Sequence, residues 1–169
     1  MPGDDPNAVE GAVALSAVRR LRACLAFLPL AVAVPPAAAT AQVAVIVNRA
    51  NPIQNLPLSD LQRLYLGQSV TFPNRVRVAL VTYPAAEAPF LLAALGMTGD
   101  RFRRHWMELV FQGQDVTPPK AIASGQELNR FVAEHPGALA FIDLAAVEQT
   151  VKIVTIDGRA PADPAYRLR

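Results

Sequence analysis

The chain has 169 residues, 52% of them hydrophobic, and a formal net charge of +2 at pH 7. This weak charge does not favour nucleic acid or an anionic membrane surface as a partner, and the length fits one ordinary domain behind a targeting segment. A single cysteine excludes an intramolecular disulfide and a cysteine-ligated metal centre.

The first 41 residues are predicted to be a secretory signal. The basic segment 19–22 (RRLR) precedes an apolar run, Ala23–Val34, that has the length of a signal h-region and contains Cys24. Small residues at 39–41 supply a cleavage site, so the mature chain would start at Gln42 in the periplasm or outside the cell. Acidic residues upstream of position 19 are atypical of such a signal, so a translation start downstream of Met1 is an alternative to the given one. No later apolar run reaches the length of a membrane span.

The first half of the mature chain alternates strand and helix signals. The β-branched run Val43–Val47 predicts a buried strand. Ser59 with Gln62 has the spacing of a capping box, and Gly67 would end the helix that follows. Arg75–Val81 alternates before it becomes apolar, which predicts a strand that begins exposed and ends buried.

The segment Pro84–Leu95 is predicted to be a loop followed by a helix, with Glu87 in the first helical turn. Thr98 is placed to cap the next helix, Asp100–Phe111. Apolar residues in this helix recur at helical spacing and predict one core-facing stripe. The stripe consists of Phe102, Trp106, Leu109 and Val110.

The clearest stretch of the chain is a helix, a break and a buried strand. Ser124 with Glu127 forms a capping box, Pro136-Gly137 ends the helix because glycine accepts a left-handed turn, and Ala138–Ile142 is an uncharged strand. Asp143 would cap a short helix, 144–149, before a final strand, 151–156. Residues 42–158 are therefore predicted to form an α/β three-layer sandwich with a mixed, mostly parallel sheet flanked by helices, and residues 159–169 a loose tail.

The sequence offers no catalytic constellation, metal ligand set or cofactor motif. His105 and His135 lie on separate predicted helices, and neither has an aspartate or cysteine at metal-ligand spacing. Ser59 and Ser124 are explained as helix caps. A hydrolase with an unrecognised site is therefore the weakest of the functional hypotheses.

A small ligand is expected outside the carboxyl ends of the strands, close to helix N-termini with free amides. This places candidate ligand-binding residues at Thr82, Tyr83 and Ala85, and at Ser124 and Gly125. Glu87 lies in the helix turn next to the first group, where its carboxylate would repel an anion.

The order of these elements resembles the phosphate-binding periplasmic proteins of ABC importers. The segments that carry the resemblance are VAVIVN (43–48), LSDLQRLYLG (58–67), RVRVALVTY (75–83), ELNRFVAEHPGALAFID (127–143) and KIVTIDGRAP (152–161). The resemblance covers nearly the whole mature chain and implies a single-domain relative that corresponds to the second of the family's two lobes. It also implies a non-enzyme that binds a small anion such as phosphate and works with an ABC permease.

The family's phosphate loop, Arg-x-Asp-Gly-Ser-Gly-Thr, is not kept in this chain. Aligned on Phe90, its arginine falls on Thr82, its aspartate on Pro84 and its serine on Ala86, while Glu87 takes the place of a glycine. The loss of an arginine that can hold phosphate bidentately removes the main source of affinity for this anion. The alternative hypothesis is an envelope sensory or protein-interaction module that has lost its small ligand.

Overall fold

The computed structural model describes residues 42–168, so the predicted signal segment lies outside the described residues. The strands are β1 (Val43–Asn48), β2 (Asn55–Leu56), β3 (Ala79–Thr82), β4 (Lys120–Ala121), β5 (Ala138–Asp143) and β6 (Val151–Ile156). The helices are α1 (Leu58–Tyr65), α2 (Pro84–Leu95), α3 (Gly99–Phe111) and α4 (Gly125–Glu134), with a short 3-10 turn at Leu144–Ala146.

The six strands form one mixed sheet in the order β2-β6-β1-β5-β3-β4. The central strand, β1, runs antiparallel to both of its neighbours, whereas the other pairings are parallel. Thr82 of β3 lies opposite Ala121 of β4, so both strands reach their carboxyl ends at the same edge of the sheet.

Two apolar cores lie on opposite faces of this sheet because successive side chains of a strand point to opposite faces. Val45 and Val47 pack with the helices α1, α2 and α3, while Ile46 packs with α4. The predicted three-layer α/β architecture is therefore confirmed. In the larger core the Tyr65 hydroxyl donates to the carbonyl oxygen of Val81 at 3.1 Å. Burial raises the pKa of Tyr65 well above its ordinary range, so this hydroxyl stays protonated.

Two of the predicted helix caps are confirmed by hydrogen bonds. The Ser124 hydroxyl accepts from the N–H of Glu127, and the Thr98 hydroxyl accepts from the N–H of Arg101, both at 3.4 Å. Asp143 precedes a short 3-10 turn and makes no side-chain cap there. The predicted helix at 144–149 is thus reduced to a single turn.

The predicted capping box at Ser59 is wrong. Helix α1 begins one residue earlier than this serine, at Leu58, with Pro57 in the cap position. The N–H of Leu58 donates instead to the Asp157 side chain at 3.0 Å, so the start of α1 is satisfied by a residue 99 positions away in sequence. This bond ties α1 to the turn that follows β6.

The predicted strand 75–81 is shorter than expected, and Gly137 explains where it begins. Arg75 has a positive φ of 64°, and regular pairing starts only at Ala79, whose N–H donates to the Gly137 carbonyl at 2.8 Å. A Cβ atom on Gly137 would stand 2.3 Å from the carbonyl oxygen of Arg77. Glycine is therefore needed here for close backbone approach, not for the left-handed turn that the sequence suggested.

The tail 159–168 is packed, not loose as predicted. Tyr166 and Leu168 are buried in the larger core. A short turn after β6 folds the chain back, because the N–H of Ile156 donates to the Arg159 carbonyl at 2.9 Å. Only isolated side chains of the tail reach the core. The sequence of the tail therefore shows no periodic pattern that could have predicted this packing.

Candidate functional site

Helix α3 presents two adjacent rows of side chains, each with a spacing of four residues. One row contains Phe102, Trp106 and Val110, and the other contains Arg103, Met107 and Phe111. Phe102 and Trp106 are buried, whereas Val110 is 49% and Phe111 85% exposed. The carboxyl half of α3 therefore leaves an apolar surface uncovered by the rest of the domain.

This surface forms one wall of a groove of about 600 Å³ at the carboxyl edge of the sheet. The floor includes the buried Thr82 at the end of β3 and Ala121 at the end of β4. The remaining lining comes from the start of α2, from α3 and from the loop before β4. These residues are Pro84, Glu87, Phe102, Arg103, Trp106, Met107, Val110, Phe111, Pro118 and Pro119.

Trp106 is held firmly at the base of this groove. Its indole N–H donates to the carbonyl oxygen of Tyr65 at 3.1 Å, and its ring packs edge-to-face on Phe102 with centroids 6.3 Å apart. A buried hydrogen bond at one end of the indole fixes the orientation of the ring. Trp106 is thus the core anchor that the sequence predicts, and it also lines the groove.

One arginine at the end of the groove is paired with two carboxylates. Arg103 lies 2.5 Å from a carboxylate oxygen of Asp100 and 3.4 Å from one of Glu87. Glu87 is mostly covered, with 18% of its side chain exposed, while Asp100 and Arg103 are open to solvent. The groove lining thus contains one charge of each sign, and the Arg103 guanidinium is already shared by Glu87 and Asp100.

The N-terminus of α2, beside Thr82, is a poor anion site. Pro84 occupies the first helical position and contributes no N–H, and the N–H of Ala86 already donates to the Tyr83 carbonyl at 3.0 Å. The carboxylate of Glu87 lies in the same first turn, where it takes up the favourable end of the helix dipole.

The five predicted ligand-binding residues do not form one site. Thr82 lines the apolar groove, whereas Ser124 lines a separate polar depression on α4. Tyr83 and Gly125 do come together, because a Cβ atom on Gly125 would lie 3.6 Å from the Tyr83 hydroxyl. Ala85 lies exposed in the first turn of α2.

Each of the two histidines contacts a backbone carbonyl, which accounts for it structurally. His105 contacts the Leu66 carbonyl at 2.9 Å, and His135 contacts the Phe131 carbonyl at 2.8 Å while stacking on the Phe131 ring. Within residues 42–168, no group of three or more side chains is arranged to hold a metal ion. No helix in that part of the chain has the length and apolar character required to cross a membrane.

Comparison with solved structures shows that the chain shares its fold with proteins described as phosphate transport receptors and phosphate-binding proteins. The chain is similar to an ABC-type phosphate transport receptor from Vibrio cholerae, with 23% identity, a TM-score of 0.53 and coverage of 75% of this chain and 52% of that one. A putative phosphate ABC transporter substrate-binding protein with bound phosphate from Clostridium perfringens matches with 15% identity and a TM-score of 0.56, over 69% and 45% of the two chains. PstS from Borrelia burgdorferi matches with 12% identity and a TM-score of 0.56, over 75% and 53%.

The chain thus spans about half the length of these structures and has the fold of one part of them. This confirms, at the level of fold, the resemblance noted from the sequence. No family profile matches the sequence, and no curated protein matches it.

Sequence reasoning missed most of the groove. It assigned Val110 to the core stripe and did not consider Met107, Phe111, Pro118 or Pro119 as site residues. One signal was available in the sequence. Met107 and Phe111 add a second apolar row to α3, so its apolar surface is wider than one contact with the core needs.

Proposed function

We propose that the protein is an exported, non-catalytic solute-binding domain of the kind found in phosphate ABC transporters. The observation that carries the proposal is a groove at the carboxyl edge of the sheet, where α/β proteins bind ligands, in a fold shared with substrate-binding proteins. The predicted signal supports a periplasmic location, and an ABC permease is the partner that this role requires.

The local chemistry does not favour phosphate as the ligand. The position that corresponds to the family's arginine holds Thr82, and the guanidinium that lines the groove, that of Arg103, is shared by Glu87 and Asp100. A phosphate in the groove would meet the Glu87 carboxylate, and the one arginine of the lining is already paired with carboxylates. We expect millimolar phosphate to leave the melting temperature of the purified protein unchanged.

Thermal unfolding of the purified protein against a panel of solutes tests the proposal. The panel contains phosphate, sulfate, neutral sugars, amino acids and uncharged aromatic compounds. A solute present at 100 times its Kd would stabilise the folded state by about 2.7 kcal/mol. At least one solute should raise the melting temperature of the wild-type protein, and Phe111→Ser should reduce that rise. A panel in which no solute shifts the transition contradicts solute binding.

One observation favours a second function, an envelope sensory or protein-interaction module. Met107 and Phe111 are 55% and 85% exposed on the same face of α3, a surface that a partner protein would cover. In this case the solute panel gives a flat response, and an envelope sensor protein purifies with the wild type but not with Phe111→Ser. Recovery of an ABC permease would instead support the transport role.

A further inference from the structure

We propose that the groove beside α3 binds an uncharged aromatic compound. This inference rests on the proposed solute-binding function and names the class of solute. It follows from three properties of the groove: its lining, its charge and its shape.

The lining is suited to a flat apolar ligand. Phe102 and Trp106 supply buried aromatic rings, and the exposed Met107 and Phe111 supply a polarisable thioether and a further ring. Aromatic rings and methionine sulfur make favourable contacts with another aromatic ring beyond the gain from burying its surface. The Trp106 ring is already oriented by its bond to Tyr65, so little side-chain entropy is lost when a ligand binds.

The charge of the groove disfavours an anionic ligand. Glu87 is largely covered and faces the guanidinium of Arg103, which Asp100 also holds. An anion would have to be desolvated beside the Glu87 carboxylate, with no unshared cation to receive it. A neutral ligand avoids this cost.

The shape of the groove fits a small molecule better than a flat protein surface. Its volume of about 600 Å³ lies within the range of small-molecule sites. The walls come from three separate segments, namely α3, the start of α2 and the Pro118-Pro119 loop, and the buried Thr82 lies on the floor. Such a cleft can contact a ligand of two or three rings from three sides.

A pair of dyes that differ by one charge tests the inference on the full purified protein. N-Phenyl-1-naphthylamine is neutral, and 8-anilino-1-naphthalenesulfonate has nearly the same ring system with an added sulfonate. Trp106 is the only tryptophan in the sequence, so energy transfer from its indole to a dye reports binding to the protein, and the variants below locate that binding at the groove. We expect the neutral dye to bind at least tenfold more tightly than the sulfonate.

Variants with matched controls distinguish dye binding at the groove from dye binding to other apolar surface. Phe111→Ser should weaken binding of the neutral dye about tenfold, because it removes a ring from the rim without disturbing the core. Leu92→Ser is the control, since Leu92 is a 68% exposed apolar residue on α2 that does not line the groove. Glu87→Gln should raise the affinity for the sulfonated dye relative to that for the neutral dye, because it removes the carboxylate that disfavours an anion.

Each outcome supports or overturns the inference. Neutral-dye binding that is lost in Phe111→Ser and kept in Leu92→Ser supports it. Equal or tighter binding of the sulfonate overturns it, as does a dimer that dissociates on Phe111→Ser, because a second copy would then cover the groove. If a charged solute from the panel binds and the neutral dye does not, the solute-binding function stands and only the ligand class fails. If no solute and no dye binds, both fail.

Discussion

At the start of α4, the hydroxyl of Ser124 accepts a hydrogen bond from the N–H of Glu127 at 3.4 Å on the protein surface. Ser124→Ala removes this cap and should lower the free energy of unfolding by about 1 kcal/mol, measured by urea denaturation. Ser59→Ala is the control and should change stability by less than about 0.5 kcal/mol, because Ser59 caps no helix. Binding of the neutral dye should be unaffected in both variants. A loss of dye binding in Ser124→Ala would mean that this serine contacts the ligand.

Tyr166 provides a pH-dependent contribution to stability. Burial raises the pKa of Tyr166 to about 12, above its ordinary value of about 10. The unfolded chain therefore loses this proton first as the pH rises, so stability is fully present below about pH 10 and declines as the pH approaches 12. Tyr166→Phe should make the loss of stability above pH 10 less steep in urea titrations at several pH values. An unchanged pH profile would contradict this assignment.

At the scale of elements, the tail after β6 contributes to the core. Leu168 is fully buried there, while its neighbour Arg167 is exposed. Leu168→Ala should lower the free energy of unfolding by about 2–5 kcal/mol, because it leaves a cavity among packed side chains. Arg167→Ala is the matched control and should cost less than about 1 kcal/mol, since it removes only an exposed ion pair with Asp157. Similar small losses in both variants would show that the tail packs loosely in solution.

The elements that could be predicted from the sequence are those whose signals are local. Helices α3 and α4 carry their own caps, at Thr98 and Ser124, and β1 is a continuous β-branched run, so each was placed within a residue or two. The cap of α1 could not be found in this way because Asp157 supplies it from the far end of the domain. The role of Gly137 was likewise hidden, because it depends on the approach of another backbone segment.

The candidate site was only partly predictable for the same reason. The rule that ligands bind beyond strand ends follows from topology alone, and it selected Thr82, which lines the groove. The loop with Pro118 and Pro119 and the exposed row of α3 meet Thr82 only in the folded chain. No local pattern in the sequence states that these segments are neighbours.

At the scale of the whole molecule, the sheet brings the ends of β3 and β4 to one edge while the central β1 is covered on both faces. This arrangement separates stability from binding at the rim of the groove, whereas Phe102 and Trp106 belong to both the core and the groove. The two cores on either side of β1 hold the fold, and the groove lies at the margin, where α3 extends beyond its core contacts. Substitutions of exposed rim residues should therefore change binding with little effect on the free energy of unfolding.

The proposed role also requires that the chain leave the cytoplasm. The predicted signal in the first 41 residues can be tested directly. When the full chain is expressed in a Gram-negative host, the exported protein should begin at Gln42, as read by N-terminal sequencing or intact mass. Ala39→Gln and Ala41→Gln place a large polar residue at the small-residue positions of the cleavage site and should cause the uncleaved precursor to accumulate. Thr40→Gln is the control, since the position between them tolerates large residues, and it should be processed normally. A cytoplasmic product that keeps its first 41 residues would contradict export and, with it, a role beside an ABC permease in the periplasm.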